Sequence, residues 1–211
     1  MLRLAAVNSS SFSPMLCKAR LSLFTALLFV AAQAGASYPE SPQDDFWQAL
    51  SKLCGQAFAG KLVSYDETMD AGWLPERLVM HVRRCTDGEI QIPLHVGENR
   101  SRTWVLTRLD DGIRLKHDHR YDSGEEEEMS WYGGHTTDPG RSWRQVFPVD
   151  DYSRLLFLNG GLEGSVTNIW YMDVRPGEHF AYGLTRLGRH LRVEFDLSEP
   201  VDPPPAPWGH E

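Results

Sequence analysis

The stretch that decides the fold runs from Glu89 to Arg120 and reads "EIQIPLHVGENRSRTWVLTRLDDGIRLKHDHR". Three alternating runs are separated by "GENRS" and "DDG", the Gly, Asn and Asp punctuation that closes β-hairpins. Side chains on a strand point alternately to its two sides, so Ile90, Ile92, Leu94 and Val96 share one face. A chain with this period buries one face of a sheet and leaves the other wet.

The same signal extends outward in both directions. "ERLVMHVRRC" (76–85) precedes it, and "SVTNIWYMDV" (165–174), "EHFAYGLTRL" (178–187) and "RHLRVEFDL" (189–197) follow, joined by "RPG" and Gly188. Leu191, Val193, Phe195 and Leu197 alternate with Arg192, Glu194 and Asp196. The turn-rich centre, 131–148, adds short strands around Trp131 and Val146. Two segments carry helical signals instead. Ser41 as N-cap, Pro42 at the first helical position and Asp44 and Asp45 in the first turn start a helix that Gly60 ends. A second, short helix begins at Asp150 or Asp151 and stops at Asn159-Gly160-Gly161. Eight to ten strands with two helices predict a mainly β protein, an antiparallel lipocalin-like barrel with the first helix across one end. A cupin-like double sheet is the alternative.

The two ends read differently. "LSLFTALLFVA" (21–31) follows Lys18 and Arg20 and precedes small residues, the three-part pattern of a secretory signal peptide over 1–36. Met15, which opens "MLCKAR", is a compact alternative start. Residues 37–198 then form one β-rich domain, and the Pro-rich tail 199–211 is expected to be disordered. Removing the signal segment takes three of the 21 Lys and Arg and none of the 29 acids, so the net charge moves from −8 to −11. That surface repels nucleic acid and anionic lipid. No later run is long and apolar enough to span a membrane. The localisation expected is periplasmic or secreted. Of three cysteines, Cys17 falls in the signal segment, and Cys54 and Cys85 are expected to pair as a disulfide, as exported chains usually arrange. The sequence sets no oligomeric state.

Four segments, "RSRTWVLTR" (100–108), "LKHDHR" (115–120), "YGG" (132–134) and "RVEFDL" (192–197), resemble a group of bacterial exported proteins without an assigned activity. The resemblance covers Arg77 to Leu197. It implies a bacterial periplasmic or secreted setting, and it implies no activity.

Chemistry concentrates in few places. His117 and His119 share the face of Ile113 and Leu115, which aims both imidazoles inward; with Glu125 or Glu126 they would form a divalent-metal site. Gly112, His117, His119, Glu126 and Gly133 approach the first cupin motif but miss two of its spacings. The ordinary reading is the polar end of a hairpin. His81 and His95 sit opposite Met80 and Leu94 in parity and so face outward. The glutamates 125–128 lack the ligand spacing of a calcium loop. Arg102 and Trp104 would present a guanidinium and a ring to a ligand. Trp170 and Tyr182 are further inward rings, and Asn168 shares their face as a buried amide in need of partners. No nucleophile elbow, P-loop, Rossmann glycine run or H-E-x-x-H is present. The leading expectation is a small-ligand-binding barrel; the others are a metal-dependent cupin-like enzyme and an envelope protein-interaction module.

Overall fold

The computed structural model describes residues 41–210; the signal-peptide reading over 1–36, Met15 included, lies outside the described residues. The chain is mainly β and antiparallel, with strands β1 (Ala57–Ser64), β2 (Leu78–His81), β3 (Arg84–Cys85), β4 (Glu89–Val96), β5 (Asn99–Leu109), β6 (Gly112–His119), β7 (Tyr132–His135), β8 (Arg144–Pro148), β9 (Ile169–Arg175), β10 (His179–Arg186) and β11 (Arg189–Val201). Apart from β3, which pairs only with β4, successive strands lie side by side except β7 and β8, which are the two edges of the sheet, and β1 also pairs with β11. The hairpin turns of the sequence thus become the meander of a single sheet, curled until its first and last strands meet. One bridge, Gly134 to Val149, and a 3.0 Å bond from the amide of Asp150 to the carbonyl of Gly133 join β7 to β8. The barrel is nearly closed, and the double-sheet alternative is not what forms.

The seam explains the glycine pair. A Cβ on Gly134 would stand 1.9 Å from the carbonyl oxygen of Pro148, and one on Gly133 would stand 2.0 Å from that of Leu115. Only residues without a side chain let β7 pass between β6 and β8.

Strand parity holds around the barrel. Ile92 faces Trp104, which faces His117; Phe180 faces Phe195, which faces Gly60. The inward set fills the core, with Phe58, Met80, Ile90, Leu106, Leu115, Phe147 and Val193 fully shielded from water. Burial at this density supplies the main driving force for closure.

Helix α1 (Pro42–Ser51) starts as its residues dictate. Ser41 accepts from the amide of Asp44, and Asp44 accepts from the amide of Ser41, a reciprocal capping box. The helix buries Phe46, Trp47 and Leu50, and lies at the end where β5 turns into β6. There Asp44 pairs with Arg108, and Gln43 reaches Thr136. It is shorter than the sequence predicts. The chain leaves the helix after Ser51, turns through Gly55 in a left-handed conformation, and enters β1 at Ala57. The apolar spacing of Ala57 and Phe58 fits a helix stripe as well as a strand; the bond from Gly55 to the carbonyl of Val82 and the pairing of Phe58 with Met80 decide it. Cys54, in that turn, is bonded to Cys85 of β3. Helix α2 (Asp151–Asn159) is capped by Asp150 and ends at Gly160, as read from the sequence. Its cap is also tied to the barrel by an ion pair with Lys116.

The Pro-rich tail departs from expectation. β11 runs to Val201, and the residues beyond it lie along the outside of the barrel. The amide of Trp208 donates to the carbonyl of Arg100, whose guanidinium reaches back to the carbonyl of Ala206. Arg83 donates to the carbonyl of His210, and the His210 ring meets the buried carboxylate of Asp118 at 2.7 Å. Proline denies the segment a ladder of its own, so side chains of the barrel wall and the carbonyl of Arg100 hold it instead.

Candidate functional site

The end of the barrel away from α1 is hollow. A cavity of about 350 Å³ lies there, at the small end of the range for ligand pockets. Trp104, His117 and His119 line it from β5 and β6, and Trp170 and Tyr182 from β9 and β10. Helix α2 contributes Phe157, and the 3-10 turn Glu163–Thr167 brings in Ser165. The long β1–β2 connection crosses the opening with Met69, Asp70 and Trp73. That connection is latched: the buried carboxylate of Asp70 takes two bonds from Arg189, at 2.5 and 2.7 Å.

The floor is a stack of rings. Trp104 lies on Tyr182 with centroids 4.4 Å apart, and His117 lies on Tyr132 at 4.6 Å. Trp170 tilts against His117 at 5.2 Å. His117 is buried and bonded at both nitrogens: Nδ1 is 3.0 Å from the carbonyl of Tyr132 and Nε2 is 2.8 Å from the hydroxyl of Tyr182. A carbonyl only accepts, so Nδ1 carries the proton and Nε2 accepts from the phenol. Burial, then the neighbouring His119, push the His117 pKa down to about 3, and the ring is neutral at ordinary pH. Burial and the Arg102 charge lower His119 to about 4. The hydroxyl of Tyr132 meets Nε2 of His119 at 3.1 Å, and burial raises this phenol to about 12. Tyr182 is raised well above its ordinary value for the same reason. The floor therefore carries hydroxyls and imidazoles but no charge, and His117 and Tyr182 satisfy each other.

All five residues nominated from sequence for a ligand, Arg102, Trp104, Asn168, Trp170 and Tyr182, line this one cavity. Asn168 gets there by another route than its presumed strand position. It follows the 3-10 turn, before β9 begins, and its buried amide oxygen accepts from Arg186 at 3.0 Å. The metal set does not assemble. His117 and His119 both line the cavity, but Glu125 is exposed in the β6–β7 connection and Glu126 pairs with Arg120. A metal at His117 would have to displace Tyr182 or the Tyr132 carbonyl. Among the described residues no group of three His, Cys, Asp or Glu side chains is arranged to hold a metal ion. His95 has outward parity, as expected, yet it is buried, and among the described residues its Nε2 has no hydrogen-bond partner. Burial, then Arg100 and His81, lower its pKa to about 4.

Sequence reading missed Tyr132 and Arg186. Tyr132 sits before the glycine pair and acquires its inward parity only once β7 pairs with β6 opposite His117. Arg186 was legible: it continues the alternation of Tyr182 and Leu184. The chain matches no family model, no curated protein and no solved structure.

Proposed function

We propose that this is an exported, periplasmic or secreted barrel that binds a small molecule in its partly polar interior, without a catalytic role. One observation carries the reading: a ring-lined cavity of about 350 Å³ sits inside a nearly closed barrel, under a crossing segment held by a buried ion pair. A chain that only needed stability would fill such a space, because empty volume in a core is costly. The neutral, internally bonded floor supports binding over catalysis, since His117 has no nitrogen left to act as a base. Export is supported by the apolar 21–31 segment and the Cys54–Cys85 bond, which an oxidising compartment maintains.

The test is a ligand screen by native mass spectrometry and protein NMR on the purified chain, beside a variant with the cavity filled by Leu184→Trp. Saturable hits lost in the variant support the reading. Hits that persist in the filled variant, or none in a broad screen, overturn it.

A further inference from the structure

The cavity wall is not electrically uniform. Around its opening stand three arginines, Arg102, Arg186 and Arg189. Arg189 is neutralised by Asp70, and on the outer wall Arg144 and Arg192 are neutralised by the buried Asp173 together with Glu194. Arg102 and Arg186 are different: among the described residues neither has an Asp or Glu within ion-pair distance. Both are nonetheless held in place by neutral groups. Arg102 bonds to Asn99 Oδ1 and Ser101 Oγ and lies over the ring of Trp73. Arg186 bonds to Ser165 Oγ at 2.8 Å and to Asn168 Oδ1 at 3.0 Å. A buried amide is thus used to aim a guanidinium without cancelling its charge. Burial dominates the shifted ionisation of His119, Tyr132 and Tyr182, yet the Arg102 charge also acts on each, always downward, so its field reaches the ring-lined floor.

Two positioned cations without an ion-pair partner among the described residues, Glu127 acting on Arg102 only from beyond that distance, stand at the mouth of an apolar cavity in a chain of net charge −8, an arrangement that calls for an anion. The floor calls for the opposite. Because His117 and Tyr182 satisfy each other, and the Tyr132 hydroxyl meets His119, a polar group placed there would have to compete with bonds already made and would lose its hydration. Resting on the binding reading above, we infer that the ligand is an amphipathic carboxylate, its acid group met by Arg102 and Arg186 at the mouth and its aliphatic or aromatic body laid inward against Trp104, Tyr132 and Trp170. The orientation is set by the wall: charge outward, hydrocarbon inward.

The experiment uses matched probes on the full chain: decanoate, 1-decanol and decylamine, and indole-3-acetate beside indole-3-ethanol, titrated by calorimetry and by tryptophan emission. At least one acid binds tenfold or more tighter than its alcohol, and decylamine binds more weakly than either decyl partner. Arg102→Gln and Arg186→Gln each weaken the acid by about tenfold to a hundredfold, the range for a lost charge-assisted bond, and leave the alcohol unchanged. Circular dichroism matching the parent shows that the variants fold. Equal affinity for acid and alcohol, or arginine variants without effect on the acid, overturns the carboxylate and leaves the cavity reading standing. If none of the probes binds while the broad screen gives hits, this inference alone falls; if both are silent, both fall.

Discussion

Tyr182 donates its phenol proton to Nε2 of His117 across 2.8 Å, and the opposite nitrogen of the same ring donates to the carbonyl of Tyr132 at 3.0 Å. One imidazole therefore ties β10 to β6 and β6 to β7 from within the barrel. Replacing the phenol by Phe removes the donor that Nε2 meets among the described residues, on a ring that is itself buried. Tyr182→Phe should lower unfolding stability by about 1–3 kcal/mol, the cost of a buried group left unpaired. Urea denaturation with an unchanged m-value checks it; a neutral result would mean that water replaces the phenol.

The same ring fixes how stability depends on pH. His117 and His119 have folded pKa values depressed to about 3 and about 4, against 6.5 when unperturbed. Above pH 6.5 both states hold these rings neutral and stability is independent of them. As pH falls below 6.5 the unfolded chain takes up protons that the folded chain refuses, so stability declines by about 1.4 kcal/mol per pH unit for each ring. The decline levels off only near the folded values. Stability measured between pH 7.5 and 5 should fall accordingly, and His117→Phe should flatten the slope by about one ring's share. An unchanged slope in that variant would show that the folded state does not depress the His117 pKa.

Much of this barrel is written in the alternation of Glu89–Arg120 and Arg189–Leu197, because a period of two admits only one inward set once a single face is known. Trp104, Trp170 and Tyr182 were legible for that reason, whereas Asn168 reaches the cavity from the 3-10 turn before β9. What escaped depends on pairings distant in sequence. Tyr132 becomes an inward ring only through its register with His117, 15 residues earlier. Helix and strand compete for Ala57 and Phe58 on equal apolar spacing, and the contest is settled by β2 and Val82. The tail reads as disordered by composition because its anchors, Arg83, Arg100 and Asp118, lie about a hundred residues away.

The seam between β7 and β8 gives a sharp contrast between two glycines. At Gly134 an added methyl meets the backbone carbonyl of Pro148, which cannot rotate aside; at Gly72 it meets nothing within 4 Å. Gly134→Ala should cost several kcal/mol or prevent folding, while Gly72→Ala should change stability by less than about 1 kcal/mol. Thermal unfolding of the two variants decides it. A Gly134→Ala protein as stable as the parent would mean that the seam is looser than its close contacts imply.

The disulfide has a separate role from the seam. It closes a loop spanning 31 residues and holds the turn after α1 to β3. On the chain-entropy estimate its loss destabilises by about 3–4 kcal/mol. The Cys54→Ser/Cys85→Ser chain should therefore unfold at lower urea concentration than the oxidised parent, and a reductant should shift the parent to match it. A reductant that leaves the parent unmoved would show the thiols to be unpaired in solution.

Asp118 carries the last prediction. Its side chain faces the outside of β6 yet is almost wholly shielded, and it is held by His210, Arg120 and Ser130. Burial alone would raise its pKa; the bonds from His210 and Arg120 outweigh burial and keep it below the ordinary value. The carboxylate thus favours the folded state above about pH 4, and that contribution is lost as pH falls through its folded value. Removing residues 202–211 takes away His210 and exposes the outer wall of β5 and β6. His210→Ala alone should cost about 1.5–3 kcal/mol, the range for a hydrogen bond to a charged group, and truncation should cost more. Hydrogen exchange separates a local effect from a global one: with the tail gone, amides of β5 and β6 should exchange faster than those of β9 and β10. Equal acceleration everywhere would show that the tail supports the whole barrel, and no acceleration would show that it does not dock in solution.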